Sequence, residues 1–212
     1  MKLYSYFRSS AAYRVRIALA LKGRAYEYVP IHLVKGDQRS SEYGVINPLA
    51  LVPALADEEG TFTQSLAIIE YLDERFPSPP LLPATAAERA RVRAIALTIA
   101  CDIHPINNLR VLRYLGQELG IAEETRDAWY RHWVDVGLTA LETQLGKDPA
   151  TGTFCHGNAP TLADVCLVPQ LANARRYKIP LDRYPTVTRI ESHCLALDAF
   201  ATAAPERQPD AA

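Results

Sequence analysis

Residues 2–19 read Lys2-Leu3-Tyr4-Ser5-Tyr6-Phe7-Arg8-Ser9-Ser10-Ala11-Ala12-Tyr13-Arg14-Val15-Arg16-Ile17-Ala18-Leu19, and Lys22-Gly23 closes the run. Up to Phe7 the pattern suits a short strand; past Ser9 it takes on helical spacing. The stretch predicts a strand, a tight turn and a helix whose first turn is capped by a serine hydroxyl. A helix start leaves backbone N–H groups without partners and carries partial positive charge. The serine pair Ser9-Ser10 therefore has two readings: an ordinary N-cap, or a donor set for an anion such as a thiolate. No cysteine sits in this turn, so a thiolate must arrive on a ligand.

Strand and helix signals continue to alternate outward from that helix. Residues 26–33, with Tyr26, Tyr28, Val29 and Ile31, predict a second strand. Lys35-Gly36-Asp37-Gln38 is loop material, and residues 39–46 suit a short helix stopped by Asn47-Pro48. Residues 51–56 and 60–63 predict two strands joined by the acidic turn Asp57-Glu58-Glu59. Ser65 then reads as the N-cap of an amphipathic helix running to Phe76. The order β-α-β-α-β-β-α predicts a small thioredoxin-like α/β domain over residues 1–77.

Pro77-Ser78-Pro79-Pro80 and Pro83 interrupt the pattern, and proline crowding marks a linker, placed at 78–86. Beyond it, residues 87–212 lose strand alternation and predict an all-helical domain. Helical periodicity from Glu88 to Gly116 breaks at His104-Pro105, where the proline must kink or end a helix. Residues 123–145 predict another helix, with Trp129 and Trp133 four apart on one face, a spacing that suits core or interdomain packing. Thr161-Leu162-Ala163-Asp164 has the form of a capping box opening a helix apolar around most of its circumference, central to this domain. Residues 186–200 predict a last amphipathic helix, and Pro205 to Ala212 reads as a loose tail.

Composition narrows the function classes. A formal net charge of −1 with no basic block gives no support for nucleic-acid or membrane-surface binding. No apolar run approaches the ~18 residues of a membrane span. Met1-Lys2 leads into a strand without a signal-peptide core, which points to a cytoplasmic protein. Cys101, Cys155, Cys166 and Cys194 are widely spaced and show no metal-binding pattern, so reduced, mostly buried thiols and no metal are expected.

Taken together, Tyr6-Phe7-Arg8-Ser9-Ser10 with Tyr13-Arg14-Val15-Arg16-Ile17-Ala18-Leu19, then Val52-Pro53, then Gln64-Ser65-Leu66-Ala67-Ile68-Ile69-Glu70-Tyr71-Leu72, form an ordered series. Asn108-Leu109, the Thr161–Asp164 cap and Asn173-Ala174-Arg175-Arg176-Tyr177 extend it. In this order and spacing the chain resembles the zeta-class glutathione transferases over nearly its whole length. The resemblance implies the glutathione transferase fold, a homodimer, and glutathione as cofactor. The family commonly carries a cysteine directly after the serine pair, where this chain has Ala11. Chemistry through an enzyme thiol at that position is excluded, and glutathione's own thiol must be the nucleophile.

The resemblance also assigns residues. Ser9 and Ser10, with Ala11 beside them, hold the glutathione sulfur and are the catalytic pair. Val52-Pro53 is a cis peptide in the family, and the backbone of Val52 pairs with the cysteinyl part of glutathione; a plain edge-strand proline is the alternative. Gln64 and Ser65, at a helix start that suits a carboxylate, take the γ-glutamyl end, and Gln38 the glycyl end. Asp102, His104 and Asn108 line the family's cleft, some reaching glutathione across the dimer interface, although His104 before Pro105 reads equally as a helix-end cap. Arg8, Arg110 and Arg176 come from three elements that the family fold brings to one cleft. Singly each reads as a surface ion pair; together, bidentate guanidinium groups suit a small dicarboxylate substrate.

The implied activity is cis–trans isomerisation of maleylpyruvate to fumarylpyruvate, in gentisate-type breakdown of aromatic acids. Thiolate addition removes the double bond, rotation follows, and expulsion of the thiolate restores glutathione. Maleylacetoacetate, one carbon longer, is the alternative substrate, and transfer of glutathione to small α-halo acids the alternative reaction. A non-catalytic glutathione-binding protein of this fold is a further class, distinguished by affinity without turnover.

Overall fold

Leu3 and Ser5 point inward from a four-residue strand while Lys2 faces out, and this alternation places β1 (Lys2–Ser5) in the middle of a sheet. A computed structural model describes residues 1–211. After β1 come α1 (Ser10–Leu21), β2 (Glu27–Pro30), a 3₁₀ turn at Asp37–Arg39, α2 (Ser41–Ile46), β3 (Ala54–Asp57), β4 (Gly60–Thr63) and α3 (Ser65–Arg75). The sheet order is β2-β1-β3-β4, with β1 parallel to β2 and antiparallel to β3, and β3 antiparallel to β4. Leu3 stands opposite both Tyr28 and Leu55, which fixes the register across three strands. The α/β expectation holds, with the strands shorter than their apolar runs. β3, for instance, starts only at Ala54, because Pro53 before it has no N–H to give to the ladder.

α1 packs against α3, burying Val15, Ile17, Ala18 and Leu19 along with the guanidinium groups of Arg14 and Arg16, each only 1% exposed. Buried charge on this scale requires partners, and Arg16 has several. Its Nε donates to the Ala203 carbonyl at 2.9 Å and its Nη2 to the Phe7 carbonyl at 3.1 Å. The chain clusters into two compact units, and the stretch from Leu195 groups with residues 1–80 rather than with the helices before it. The domain drawn as 87–212 thus differs from the structure at its C-terminal end. Nor is the tail loose: the Asp210 carboxylate accepts from the Phe7 amide at 3.1 Å and from the Tyr28 hydroxyl at 2.6 Å.

The second unit, Leu81–Cys194, is built of helices. α4 (Ala86–Leu97) is capped by Thr85 and continues into a π-helical segment, Thr98–Ile103, in which His104 N–H reaches back five residues to the Ile99 carbonyl at 2.9 Å. Pro105 then opens a 3₁₀ turn, Pro105–Asn107, and α5 (Leu109–Gln117) follows. The break expected at His104-Pro105 is therefore present and spread over two irregular turns. α6 (Glu123–Lys147) buries Tyr130, Val134, Leu138, Leu141 and Leu145. Trp129 and Trp133 stand beside that stripe rather than in it, and Trp129 is 37% exposed. The Trp129 indole N–H donates to the Ile106 carbonyl at 3.0 Å, a polar anchor that holds the ring at the edge.

α7 (Leu162–Arg176) is the central helix of this unit, buried at most of its positions and packed on α4. The expected capping box forms, and the fully buried Asp164 accepts the amides of Thr161 and Cys155, each at 2.8 Å. Burial pushes the Asp164 carboxyl up, against the pull of these donors. The proline-rich stretch is not a free tether. Leu81 is buried in this unit, and its carbonyl accepts the Leu162 amide at 2.9 Å. α8 (Pro185–Leu195) and α9 (Asp198–Thr202) replace the single last helix expected from residue 186 to 200. Among the described residues no helix is long and apolar enough to cross a membrane.

Candidate functional site

The head of α1 resolves the two readings of Ser9 without choosing between them. Ser9 is the N-cap in extended conformation, and its Oγ accepts the Ala12 N–H at 3.2 Å. A hydroxyl has two acceptor lone pairs and one proton to donate. Capping uses the oxygen and leaves the proton for a ligand. Ser10 begins the helix and is buried, and Ala11 is half-buried beside it. The turn before them is held by the Ser9 amide donating to the Tyr6 carbonyl at 2.9 Å. Arg8 lies in this turn, past the end of β1, exposed and with its guanidinium 5.0 Å from the Phe7 ring centre.

The head of α3 differs from expectation. Ser65 is the first helical residue, and the N-cap position belongs to Gln64, which makes no side-chain cap. Gln64 has φ 69°, a left-handed conformation costly for a residue with a Cβ. That reversal carries the chain from β4 into the helix. The Ser65 hydroxyl is buried and accepts from Arg14 Nη1 of α1 at 3.3 Å. A buried guanidinium thus stands directly behind a helix N-terminus, two positive influences at one place.

Val52 and Gln38 are two further first-unit positions, and both are buried. Val52, before the cis bond to Pro53, packs in a buried cluster with Tyr6 and Tyr43, against which Phe7 and Leu33 also rest. Gln38 sits in the 3₁₀ turn and is 6% exposed. Its Nε2 donates to the Leu33 carbonyl at 3.3 Å, while its buried Oε1 has no hydrogen-bond partner. A buried acceptor without a donor is costly and marks a place for a ligand N–H.

Two of the four cysteines lie beside the buried Asp164 carboxyl. The buried Cys155 and Cys194 thiols are both pushed up, first by desolvation and then by the Asp164 carboxylate, so neither is a thiolate at neutral pH.

In the second unit, Asp102 lies exposed in the π-helical segment and His104 follows it, half-buried. His104 is the C-cap of the π-helical segment, its amide donating to the Ile99 carbonyl at 2.9 Å, so it stands at a helix end, which is one of its two readings. Asn108 caps α5, its Oδ1 accepting the Arg110 amide at 3.1 Å, which brings these two positions together. Arg110 on α5 and Arg176 at the end of α7 both expose their side chains. The doublet Arg175-Arg176 divides its roles: Arg175 pairs with the buried Glu191 carboxylate, while Arg176 lies 5.3 Å from the Tyr177 ring centre. Asn107 escaped the sequence reading. It is 5% exposed, and neither atom of its amide has a hydrogen-bond partner. The Asn107-Asn108 doublet was its only trace in sequence, and nothing local separates a capping asparagine from a buried one.

Comparison with known proteins covers the whole chain. Residues 1–74 match the family model for the glutathione S-transferase N-terminal domain, and residues 127–190 match a model for the C-terminal domain. A probable maleylacetoacetate isomerase of Vibrio cholerae is 54% identical over 99% of this chain and 97% of its own. Among solved structures, a holo maleylpyruvate isomerase, described as a bacterial glutathione S-transferase of the zeta class, is 47% identical. It superposes over 100% of both chains with a TM-score of 0.98. A maleylacetoacetate isomerase of Methylobacterium extorquens with bound malonate and glutathione is 45% identical, covers 100% of both chains and has a TM-score of 0.97.

Proposed function

The chain belongs to the glutathione S-transferase family, and from that premise we propose that it is a glutathione-dependent cis–trans isomerase of maleylpyruvate. The observation that carries the reading is the head of α1, where Ser9 caps with its oxygen and retains a proton to donate. The first unit fits the tripeptide at several points: two helix N-termini, an orphaned buried acceptor on Gln38, and the backbone of the buried Val52 just before the start of β3. Bound glutathione supplies a thiol that, once ionised, adds reversibly to the substrate's double bond and frees it to rotate.

The protein's part is to hold charge and position. The Ser9 O–H and the Ser10 and Ala11 amides favour the thiolate over the thiol. Ser65 and the α3 head, with Arg14 behind them, bind the γ-glutamyl carboxylate, and Gln64 shapes that turn. The Val52 backbone pairs with the cysteinyl residue, and Gln38 Oε1 accepts an N–H toward the glycyl end. Asp102, His104 and Asn108 are assigned to glutathione as well. Arg8, Arg110 and Arg176 bind the substrate's carboxylates and offset the charge that develops on its keto group. The functional form is a cytoplasmic homodimer.

A specific observation favours a second substrate: the 54% identity with the Vibrio cholerae relative supports maleylacetoacetate. The deciding measurement is kcat/KM on both compounds, with and without glutathione, followed by loss of the enedione absorbance. Glutathione-dependent preference for maleylpyruvate is expected. Preference for maleylacetoacetate keeps the mechanism and changes the substrate, and inactivity on both refutes the isomerase reading.

A further inference from the structure

The turn that carries Ser9 is tied down by a residue about two hundred positions away. Asp210 Oδ2 accepts the Phe7 amide at 3.1 Å, while its Oδ1 accepts the Tyr28 hydroxyl at 2.6 Å. The peptide bond joining Tyr6 to Phe7 is a rigid plane, so fixing its N–H edge also fixes its C=O edge. That second edge, the Tyr6 carbonyl, is the acceptor for the Ser9 amide at 2.9 Å and lies 3.5 Å from Arg16 Nη1. Arg16 also donates to the Phe7 carbonyl and, through Nε, to the Ala203 carbonyl. The stretch from Leu195 therefore grips the turn twice, through Ala203 by way of a buried guanidinium and through Asp210 directly.

We propose that Asp210 is a positioning residue for the glutathione thiolate: by orienting the Tyr6–Phe7 peptide plane it sets where the Ser9 amide and hydroxyl stand. Its two carboxylate oxygens accept from Phe7 and Tyr28, so it acts through the turn. The proposal rests on the assignment of Ser9 to the glutathione sulfur, and one of its two readouts does not.

The test compares Asp210→Ala, Asp210→Asn and Tyr28→Phe with the parent, each checked for folding by circular dichroism. Hydrogen exchange of the ligand-free protein comes first. Asp210→Ala is expected to speed exchange at both Phe7 and Ser9 amides roughly ten-fold, the scale of one charge-assisted hydrogen bond. The Cys155 amide, held by Asp164 in the other unit, serves as the unaffected reference. Tyr28→Phe, which leaves the Phe7 bond in place, should leave both amides slow. Glutathione titration follows, with Kd from calorimetry and the bound thiol's pKa from thiolate absorbance. Asp210→Ala is expected to raise Kd roughly ten-fold and to move the bound thiol's pKa upward. Asp210→Asn, which keeps one acceptor oxygen, should fall between the parent and the alanine variant in every readout.

Faster exchange at Phe7 with Ser9 unchanged breaks the peptide-plane link and overturns the proposal. So does parental Kd and thiol pKa in a folded Asp210→Ala protein, or equal acceleration by Tyr28→Phe, which signals general loosening. If the parent itself fails to bind glutathione, the functional assignment falls and the exchange experiment still judges the clamp.

Discussion

Replacing Lys22 with methionine should destabilise the first unit by about 3 kcal/mol, at the low end of what breaking a buried ion pair costs. The Lys22 side chain is fully buried at the end of α1, where Nζ donates to Asp73 Oδ1 at 2.6 Å, to the Phe76 carbonyl at 2.7 Å and to the Pro79 carbonyl. All three ammonium protons are used. Methionine keeps the stem's volume and removes the charge, so the packing term is small and the polar term dominates. Asp73 and Phe76 are half-buried and Pro79 is exposed. Water can therefore reach the abandoned acceptors in part, which selects the lower end of the ~3–5 kcal/mol range. For a chain of this size that corresponds to a fall in Tm of roughly 6–12 °C.

Urea unfolding should be followed by far-ultraviolet circular dichroism, because both tryptophans, Trp129 and Trp133, lie in the other unit and would report on it instead. The double variant Lys22→Met, Asp73→Asn isolates the cause. If the cost is the carboxylate left without its ammonium, neutralising it should recover part of the loss. A Lys22→Met protein less than about 1 kcal/mol below the parent refutes the reasoning, since that is the worth of an exposed pair. A double variant no better than the single one shows that the loss came from packing.

Two further changes test the site and the second unit. Ser9→Ala should cost about 1 kcal/mol of stability through the lost cap. It should also raise the bound thiol's pKa and lower kcat by roughly hundred- to thousand-fold; an unaltered pKa and kcat remove Ser9 from the chemistry. Asp148 accepts from Arg91 Nε at 2.6 Å and from the Ala150 amide, and these bonds, Arg91's first, hold its carboxyl below its ordinary 3.8. A depressed folded pKa means stability present above the ordinary value and lost as pH falls through the lower one. The parent's advantage over Asp148→Asn should therefore shrink between neutral pH and about pH 3, read from urea midpoints; a constant gap refutes the linkage.

What the sequence reveals divides by the distance over which its causes act. The strand, the turn and the α1 cap are local, and Ser9 caps α1 where the pattern places it. The capping box at Thr161–Asp164 is equally local and forms as read. Errors arise where a residue's conformation answers to something remote. Ser65 looks like an N-cap from its own neighbourhood, but its hydroxyl is engaged by Arg14 and the helix is entered through Gln64 in a left-handed conformation. Nothing in a glutamine announces a positive φ, as a glycine would. The tryptophans illustrate a degeneracy of helical spacing: positions four apart share a face, yet several faces of a 25-residue helix satisfy that spacing. The buried one runs through Tyr130 and Val134, a single step round from Trp129 and Trp133.

The tail is the most instructive case, because its composition is plain in the sequence and its role is not. Pro205 to Ala212 has few apolar residues and cannot bury a face of its own, which is why it reads as loose. A point attachment replaces a core there, Asp210 to Phe7 and Tyr28, just beyond the buried Ala203, whose carbonyl meets Arg16. Arg16 supplies the missing half of the argument. A buried guanidinium inside α1 needs acceptors beyond those that its own helix can offer, since helix carbonyls are already taken. Its burial lowers its pKa through desolvation, and the Asp210 carboxylate is among the groups that pull it back. An arginine at an inward-facing helix position is thus a sequence-level sign that distant carbonyls or a carboxylate must arrive to meet it. Here they come from Ser5, Tyr6 and Phe7 on one side and from Ala203 on the other. The same requirement that makes Arg16 tolerable in the core therefore joins the two ends of the chain at the turn that carries Ser9.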